Sequence, residues 1–265
     1  MVNIMKIQHI RNATVKLQYA GKTFLIDPYF AEKLTQPSFA GKSQNPTVDL
    51  PLSIEAFLNG VDAVFISHLH PDHFDEKAQK SIDKNQKIYC QPSDNKIITS
   101  MGFSQVEVLE KQISIDQIKI IRTTGQHGKG KALPLMGQVS GFVFQHPDET
   151  TIYWSGDTIW YEEVENNILK YQPKVIFSHS GGNKFNEKSK MFGDFFDDET
   201  DSLIMDKEQT IELCKFAKDS IIIATHIGAL DHETVDRTEL REYANSQGIS
   251  EQQLLIPGDG ECIEI

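Results

Sequence analysis

Between residues 67 and 73 the chain reads Ser67-His68-Leu69-His70-Pro71-Asp72-His73. Imidazole and carboxylate are side chains that hold zinc, manganese or iron. His68 and His70 stand two apart, so on an extended segment both rings project to one side. Asp72 and His73 follow where the chain turns into a helix. Four donors in so short a stretch converge without long-range folding. An isolated histidine is usually an ordinary core or surface residue, but this spacing at a strand-to-helix turn marks a metal site.

The elements around this segment explain how it is presented. Ala63–Ser67 is an apolar, buried-type strand leading into it, and a helix over about Phe74–Ile82 follows, with Asp75 and Glu76 in its first turn. Before it, Lys6–Ile10, Thr14–Tyr19 and Thr23–Ile26 read as short strands, Glu32–Pro51 as a long loop and Ser53–Leu58 as a short helix. Beyond it come strands at Lys87–Cys90 and Val106–Leu109, with a helix over Ser93–Met101 capped by Ser93. Ile113–Ile121, Val139–Phe144 and Thr151–Trp154 alternate as strands do. From Trp160, helices near Trp160–Lys170, Lys207–Lys218 and Thr238–Gln247 intersperse with strands Val175–Ser178, Ile221–Ala224 and Leu254–Ile256. This order predicts an α/β protein in which two sheets pack on each other with helices outside, as a single domain over 1–265. The polar segment Asn183–Leu203 interleaves Phe185, Phe192, Phe195 and Phe196 with charges. It reads as a surface excursion whose aromatics pack onto the body, with a lid over a site as the alternative.

Composition bounds the partners. With 26 basic against 38 acidic residues the formal charge is −12, which repels phosphate backbones, so no nucleic acid is expected. No apolar run approaches a membrane span, and Met1–Ile10 shows no signal peptide. Cys90, Cys214 and Cys262 are widely spaced and odd in number, which argues against a disulfide framework and fits a reducing cytoplasm. The expected partner is a small-molecule substrate, with no membrane; a homo-oligomer is left open.

His-x-His-x-Asp-His resembles the signature of the metallo-β-lactamase superfamily. The resemblance implies an αβ/βα four-layer sandwich with a two-metal site between the sheets, and further ligands at later strand ends. Candidates stand in order: His127 in Gly125-Gln126-His127-Gly128, Asp157 in Ser155-Gly156-Asp157-Thr158, and His226 in Ala224-Thr225-His226. By this resemblance His68, His70 and His127 look like ligands of one metal, Asp72, His73 and His226 like those of the other, and Asp157 like the bridge. His232 is the alternative to His226 as the last ligand. Leu25-Ile26-Asp27-Pro28 and Pro257-Gly258-Asp259-Gly260-Glu261 are similar to the branch containing bacterial ascorbate-6-phosphate lactonase. There Asp27 would orient His70 or a neighbour, or simply end a strand. The cysteine ligand of some antibiotic-hydrolysing lactamases has no counterpart here.

Two divalent ions, zinc or manganese with iron as a further option, would supply hydroxide at neutral pH for attack on an ester, lactone or phosphoester. A phosphorylated sugar lactone is the specific expectation, with Lys129, Lys131 or Lys184 offsetting the acidic charge. Asp72 would handle the proton, and His232 or His179 would protonate the leaving group or hold a substrate anion. His179 is weighed against a structural role, and His9 and His146 are taken as surface residues. Iron-dependent redox or persulfide chemistry and small-molecule phosphodiester cleavage are the alternatives on the same fold.

Overall fold

The computed structural model describes residues 5–265. The first four residues of the Met1–Ile10 stretch lie outside the described residues. Strands β1 (Lys6–Arg11), β2 (Thr14–Tyr19) and β3 (Lys22–Ile26) form an antiparallel meander. After α1 (Ile54–Leu58), strands β4 (Ala63–Ile66), β5 (Lys87–Cys90) and β6 (Gln105–Val108) add in parallel, with α2 (Glu76–Ser81) and α3 (Asn95–Ser100) between them. The second sheet begins with the antiparallel β7 (Gln112–Ile115), β8 (Ile118–Thr124), β9 (Ser140–His146) and β10 (Glu149–Trp154), with the short α4 (Leu133–Met136) inserted before β9. It continues in parallel through α5 (Glu162–Tyr171), β11 (Val175–His179), α6 (Lys207–Phe216), β12 (Ile221–Thr225), α7 (Arg237–Ser246) and β13 (Leu254–Leu255). A last strand, β14 (Cys262–Glu264), crosses back to pair with β1.

Each sheet therefore has seven strands, ordered β14-β1-β2-β3-β4-β5-β6 and β13-β12-β11-β10-β9-β8-β7. The inward faces share one apolar core that includes Leu17, Phe24, Phe65, Phe142, Phe144, Trp154 and Phe177. Phe65 packs edge-on against Phe24, Phe142 and Phe144, with ring centroids 5.4–5.6 Å apart. Outer layers close both sides: Phe57, Ala78 and Ile98 on the first sheet, Val164, Ile211 and Leu240 on the second. The result is the αβ/βα sandwich, and it explains why the central parallel strands are apolar on both faces.

Several expected details differ. α3 begins two residues later than expected, with Asp94 rather than Ser93 at the N-cap position but no side-chain cap bond, and the hydroxyl of Ser93 instead donates to Asp94. α2 starts at Glu76 because Asp75 takes the cap position, accepting from the amides of Lys77 and Ala78. Ile113–Ile121 is a hairpin turning at Asp116, whose φ is 51°. His9 is fully buried rather than on the surface: β14 and the preceding turn cover it, and its ring bonds the carbonyls of Asn12 and Gly258. His146 is half-buried at the end of β9. Cys90 and Cys214 are buried free thiols and Cys262 is exposed, among the described residues. No described helix is long and apolar enough to cross a membrane.

Candidate metal centre

The parallel strands of both sheets end on the same edge of the sandwich, where α/β proteins place their ligands. Asp27 follows β3, His68 follows β4, Asp157 follows β10, His179 ends β11 and His226 follows β12. Two of these positions sit in the left-handed backbone region, Asp27 at φ 47° and His226 at φ 59°. Each is held there by a backbone bond, Asp27 N to Phe65 O at 2.9 Å and His226 N to Asn12 O at 2.8 Å. Strained backbone of this kind needs surrounding structure to hold it, and here it turns the side chains inward from the strand ends.

The ligand atoms of His68, His70, His127 and Asp157 all lie within 4.8 Å of one another, as do those of Asp72, His73 and His226. Asp157 stands between the groups, with Oδ2 3.1 Å from His73 Nε2, 3.3 Å from His127 Nε2 and 3.7 Å from His68 Nε2. His226 Nε2 lies 3.1 Å from Asp72 Oδ2. The structure thus brings together the seven residues the sequence singled out, and it places His226, not His232, beside Asp72.

Hydrogen bonds behind the rings set which nitrogen faces the cluster. Asp27, a carboxylate that only accepts, takes the Ser67 amide at 2.7 Å on Oδ1. Its Oδ2 takes the Ser67 hydroxyl at 2.7 Å and His73 Nδ1–H at 2.9 Å. The Ser67 oxygen in turn accepts from His68 Nδ1 at 2.9 Å. His127 Nδ1 donates to the carbonyl of Leu203 at 2.9 Å. In all three rings Nδ1 carries a proton and Nε2 is turned toward the cluster, the orientation that metal-ligating histidines require. Asp27 thereby orients His73 directly and His68 through Ser67, so of the expected targets it is the neighbours of His70, not His70 itself, that it holds.

Buried electrostatics favour a cation here. Burial would push Asp72 and Asp157 up, yet His73 and His226 beside both hold them well below the usual carboxylate range. Burial would lower His73, but Asp157, Asp72 and Asp27 keep it well above the ordinary imidazole value. Burial and neighbouring imidazoles push His68 well down and His70 to about 4. His68 Nε2 is buried with no hydrogen-bond partner among the described residues, and an unpartnered imidazole nitrogen among carboxylates and imidazoles fits a metal ligand. The all-nitrogen-and-oxygen donor set fits zinc, manganese or iron.

The sequence reading missed several supports. Asn12, between the first two expected strands, donates its amide to Asp72 O at 3.0 Å. Glu233 accepts from the amides of Gly228 (2.5 Å) and Ala229 (3.4 Å) and backs His226, its Oε1 3.9 Å from Nδ1; burial raises it to about 7. Asp231 gathers donors from the loop of residues 38–45. These contacts join parts of the chain too distant for spacing to reveal.

A small cavity, partly open to solvent, lies over the cluster. His70, Asp72, His127 and Asp157 form its floor, and Phe39, Met136, Phe185, Phe192 and Leu203 its walls, with His232 on one side. The Asn183–Leu203 segment supplies much of that wall. Its ends are tied by Leu203 N to Asn183 O at 2.8 Å; Phe185 and Phe196 are buried, while Phe195 is 47% exposed. His179 does not line the cavity. It is fully buried against Trp154 and Asp157, so it cannot meet a substrate as expected. Lys131 and Lys184 do not line the cavity either; they pair with Asp197 and Glu199 at 2.8 and 3.0 Å, and Lys129 is exposed.

The fold and this His/Asp cluster define a class that the comparisons identify. Residues 22–227 match the beta-lactamase superfamily domain, and the chain belongs to that family as a metal-dependent hydrolase of the metallo-β-lactamase fold. Among its relatives is the UPF0173 protein YddR of Bacillus subtilis (strain 168), 41% identical over 263 residues, covering 97% of this chain and 98% of the relative. The crystal structure of a possible metal-dependent hydrolase from Veillonella parvula DSM 2008 superposes with a TM-score of 0.90 at 34% identity, covering 99% of this chain and 100% of that one. The crystal structure of isothiocyanate hydrolase from Delia radicum gut bacteria superposes at 0.88 with 38% identity, covering 98% of each chain. The resemblance to the sugar-phosphate lactonase branch gains nothing from these relatives.

Proposed function

We propose that the chain holds two divalent ions and hydrolyses a small, uncharged electrophile carrying an apolar substituent, with an isothiocyanate as the substrate class. The observation that carries this reading is the apolar wall of Phe39, Met136, Phe185, Phe192 and Leu203 directly over the histidine and aspartate floor. None of the cavity-lining residues is lysine or arginine, so nothing there pairs with a phosphate, which argues against a phosphorylated lactone. The 38% identity to an isothiocyanate hydrolase points the same way.

His68, His70 and His127 would hold one ion, Asp72, His73 and His226 the other, and Asp157 would lie between. When bound, such ions lower the pKa of coordinated water toward 7 and polarise the electrophile, an effect worth several kcal/mol. Water adds to the central carbon of R–N=C=S, giving R–NH–C(=O)–SH. Cleavage of its C–N bond, with the thiol proton passing to nitrogen, releases R–NH2 and carbonyl sulfide. Asp72, at the cavity floor, accepts the proton of the attacking water. Asn12 steadies that carboxylate from behind. His232 stacks on Phe185 (5.6 Å, 9°) and meets the edge of Phe39 at 4.9 Å. Burial there lowers its pKa to about 4, so the ring is neutral at pH 7. Asn183 Nδ2 donates to its Nε2 at 3.1 Å, leaving the ring proton on Nδ1, which has no partner among the described residues. His232 therefore offers a hydrogen bond to negative charge developing on sulfur or nitrogen, rather than a full proton.

The test is amine release from benzyl isothiocyanate by the zinc-loaded or manganese-loaded protein, run beside an uncharged lactone and a phosphorylated one. Turnover of the isothiocyanate well above both supports the reading. Preference for the phosphorylated lactone would overturn it.

A further inference from the structure

Asp157 keeps different company on its two oxygens. Oδ2 faces His73, His127 and His68 at 3.1–3.7 Å. Oδ1 faces the other way, 2.6 Å from His179 Nδ1 and 3.9 Å from His226 Nε2. A carboxylate oxygen can only accept, so the short contact requires His179 Nδ1–H as donor. We infer that His179 is a positioning residue: it fixes the rotation of the Asp157 carboxylate so that Oδ2 is committed to the metal-binding cluster.

The surrounding geometry gives this contact its leverage. Asp157 follows the end of β10 by way of Gly156, whose φ of 71° lets the chain turn sharply toward the cluster, and its carboxylate can still rotate about its last bond. His179 cannot follow it, because its backbone is locked as the last residue of β11, in register with Thr225 of β12. Trp154 stands edge-on to the imidazole, with centroids 5.1 Å apart and planes at 90°. The far nitrogen, Nε2, is buried with no partner, so the directed bonding of this ring runs through Nδ1 to Asp157. An aliphatic side chain would fill the space equally well but would leave Oδ1 without its short donor. Bonds of this kind behind a ligand change metal affinity about 10–100-fold.

The inference rests on the metal-centre reading and not on the substrate. Its test therefore reads zinc binding, by competition against a chromogenic chelator, with zinc stoichiometry and Trp154 fluorescence as further signals. In His179→Asn the side-chain amide offers a donor near the position of Nδ1, in His179→Gln nearer that of Nε2, and His179→Leu offers none. Expected are a zinc affinity at least about 10-fold weaker in the Leu variant, recovery to within about threefold in Asn, and little recovery in Gln. Saturating zinc should restore stoichiometry, with KM unchanged. Wild-type affinity in the Leu variant would reduce His179 to a spacer and overturn the inference. An equivalent of zinc lost at every concentration, with no rescue by Asn, would make His179 a ligand instead and overturn it as well. Should the Leu variant not fold, equal affinities in Asn and Gln would do the same. Failure of the wild type to turn over isothiocyanates while binding zinc would count against the proposed substrate alone.

Discussion

Asp231 is the residue whose removal should reveal how the cavity is held together. Its carboxylate accepts from the amides of Phe39 (2.8 Å), Ala40 (3.2 Å), Lys42 (3.1 Å) and Ser43 (3.2 Å), from Asn45 Nδ2 (3.0 Å) and from the Ser38 hydroxyl. In Asp231→Ala, solvent can reach the Lys42 and Ser43 amides and Asn45 Nδ2 keeps the carbonyl of Pro37, but the amides of Phe39 and Ala40 are left in buried positions. At about 1–3 kcal/mol for each of these two buried amides, the loss comes to roughly 2–6 kcal/mol. For a chain of this size that lowers Tm by about 10 °C, at about 2–4 °C per kcal/mol. The dependence on pH has a definite sign. Burial would raise the Asp231 carboxyl, but its donors bring it down from 3.8 to about 2. A depressed carboxyl adds stability that is present above its unfolded value and is lost as pH falls through the folded one. The gap in Tm between wild type and variant should therefore be full above pH 4 and shrink toward pH 2. Because Phe39 buttresses His232, KM should rise too. Calorimetric scans of the metal-free protein across that range test this; a variant within about 1 °C of wild type, or a gap that ignores pH, would refute the reasoning.

Asp27→Asn puts an amide where the Ser67 and His73 donors need an acceptor, so zinc affinity should fall about 10–100-fold in a chelator competition. In His232→Gln the donor above the cluster is displaced, and kcat should fall about 10–100-fold while metal content by elemental analysis stays unchanged. Phe185→Ala opens the wall, and KM for benzyl isothiocyanate should rise about 10-fold with less effect on methyl isothiocyanate.

Much of the centre is legible because its geometry is local. His68 to His73 span one strand-to-helix turn, Asp157 and His226 each lie just beyond an apolar strand whose parallel neighbours end on the same edge, and His127 follows the end of the alternating strand β8. The roles of second-layer groups are not local. Asp231 and Phe39 are 192 residues apart, and His226 and Asn12 meet only when the two sheets close on each other. His179 shows the same limit from the other side: its strand-end position was readable, but only packing shows that it points beneath Asp157 and not into the cavity. The phenylalanines of Asn183–Leu203 carry no periodicity that separates a wall from a surface loop; their burial against Ala132, Met136 and Leu230 decides it.

The central claim is that seven histidine and aspartate side chains hold two divalent ions. Elemental analysis of protein purified without added metal or chelator measures it most directly. About two equivalents of zinc or manganese per chain are predicted, falling to about one or less when Asp157 is replaced by alanine. Iron in their place would favour redox chemistry on this fold, and a wild-type chain that stays metal-free after reconstitution would contradict the account.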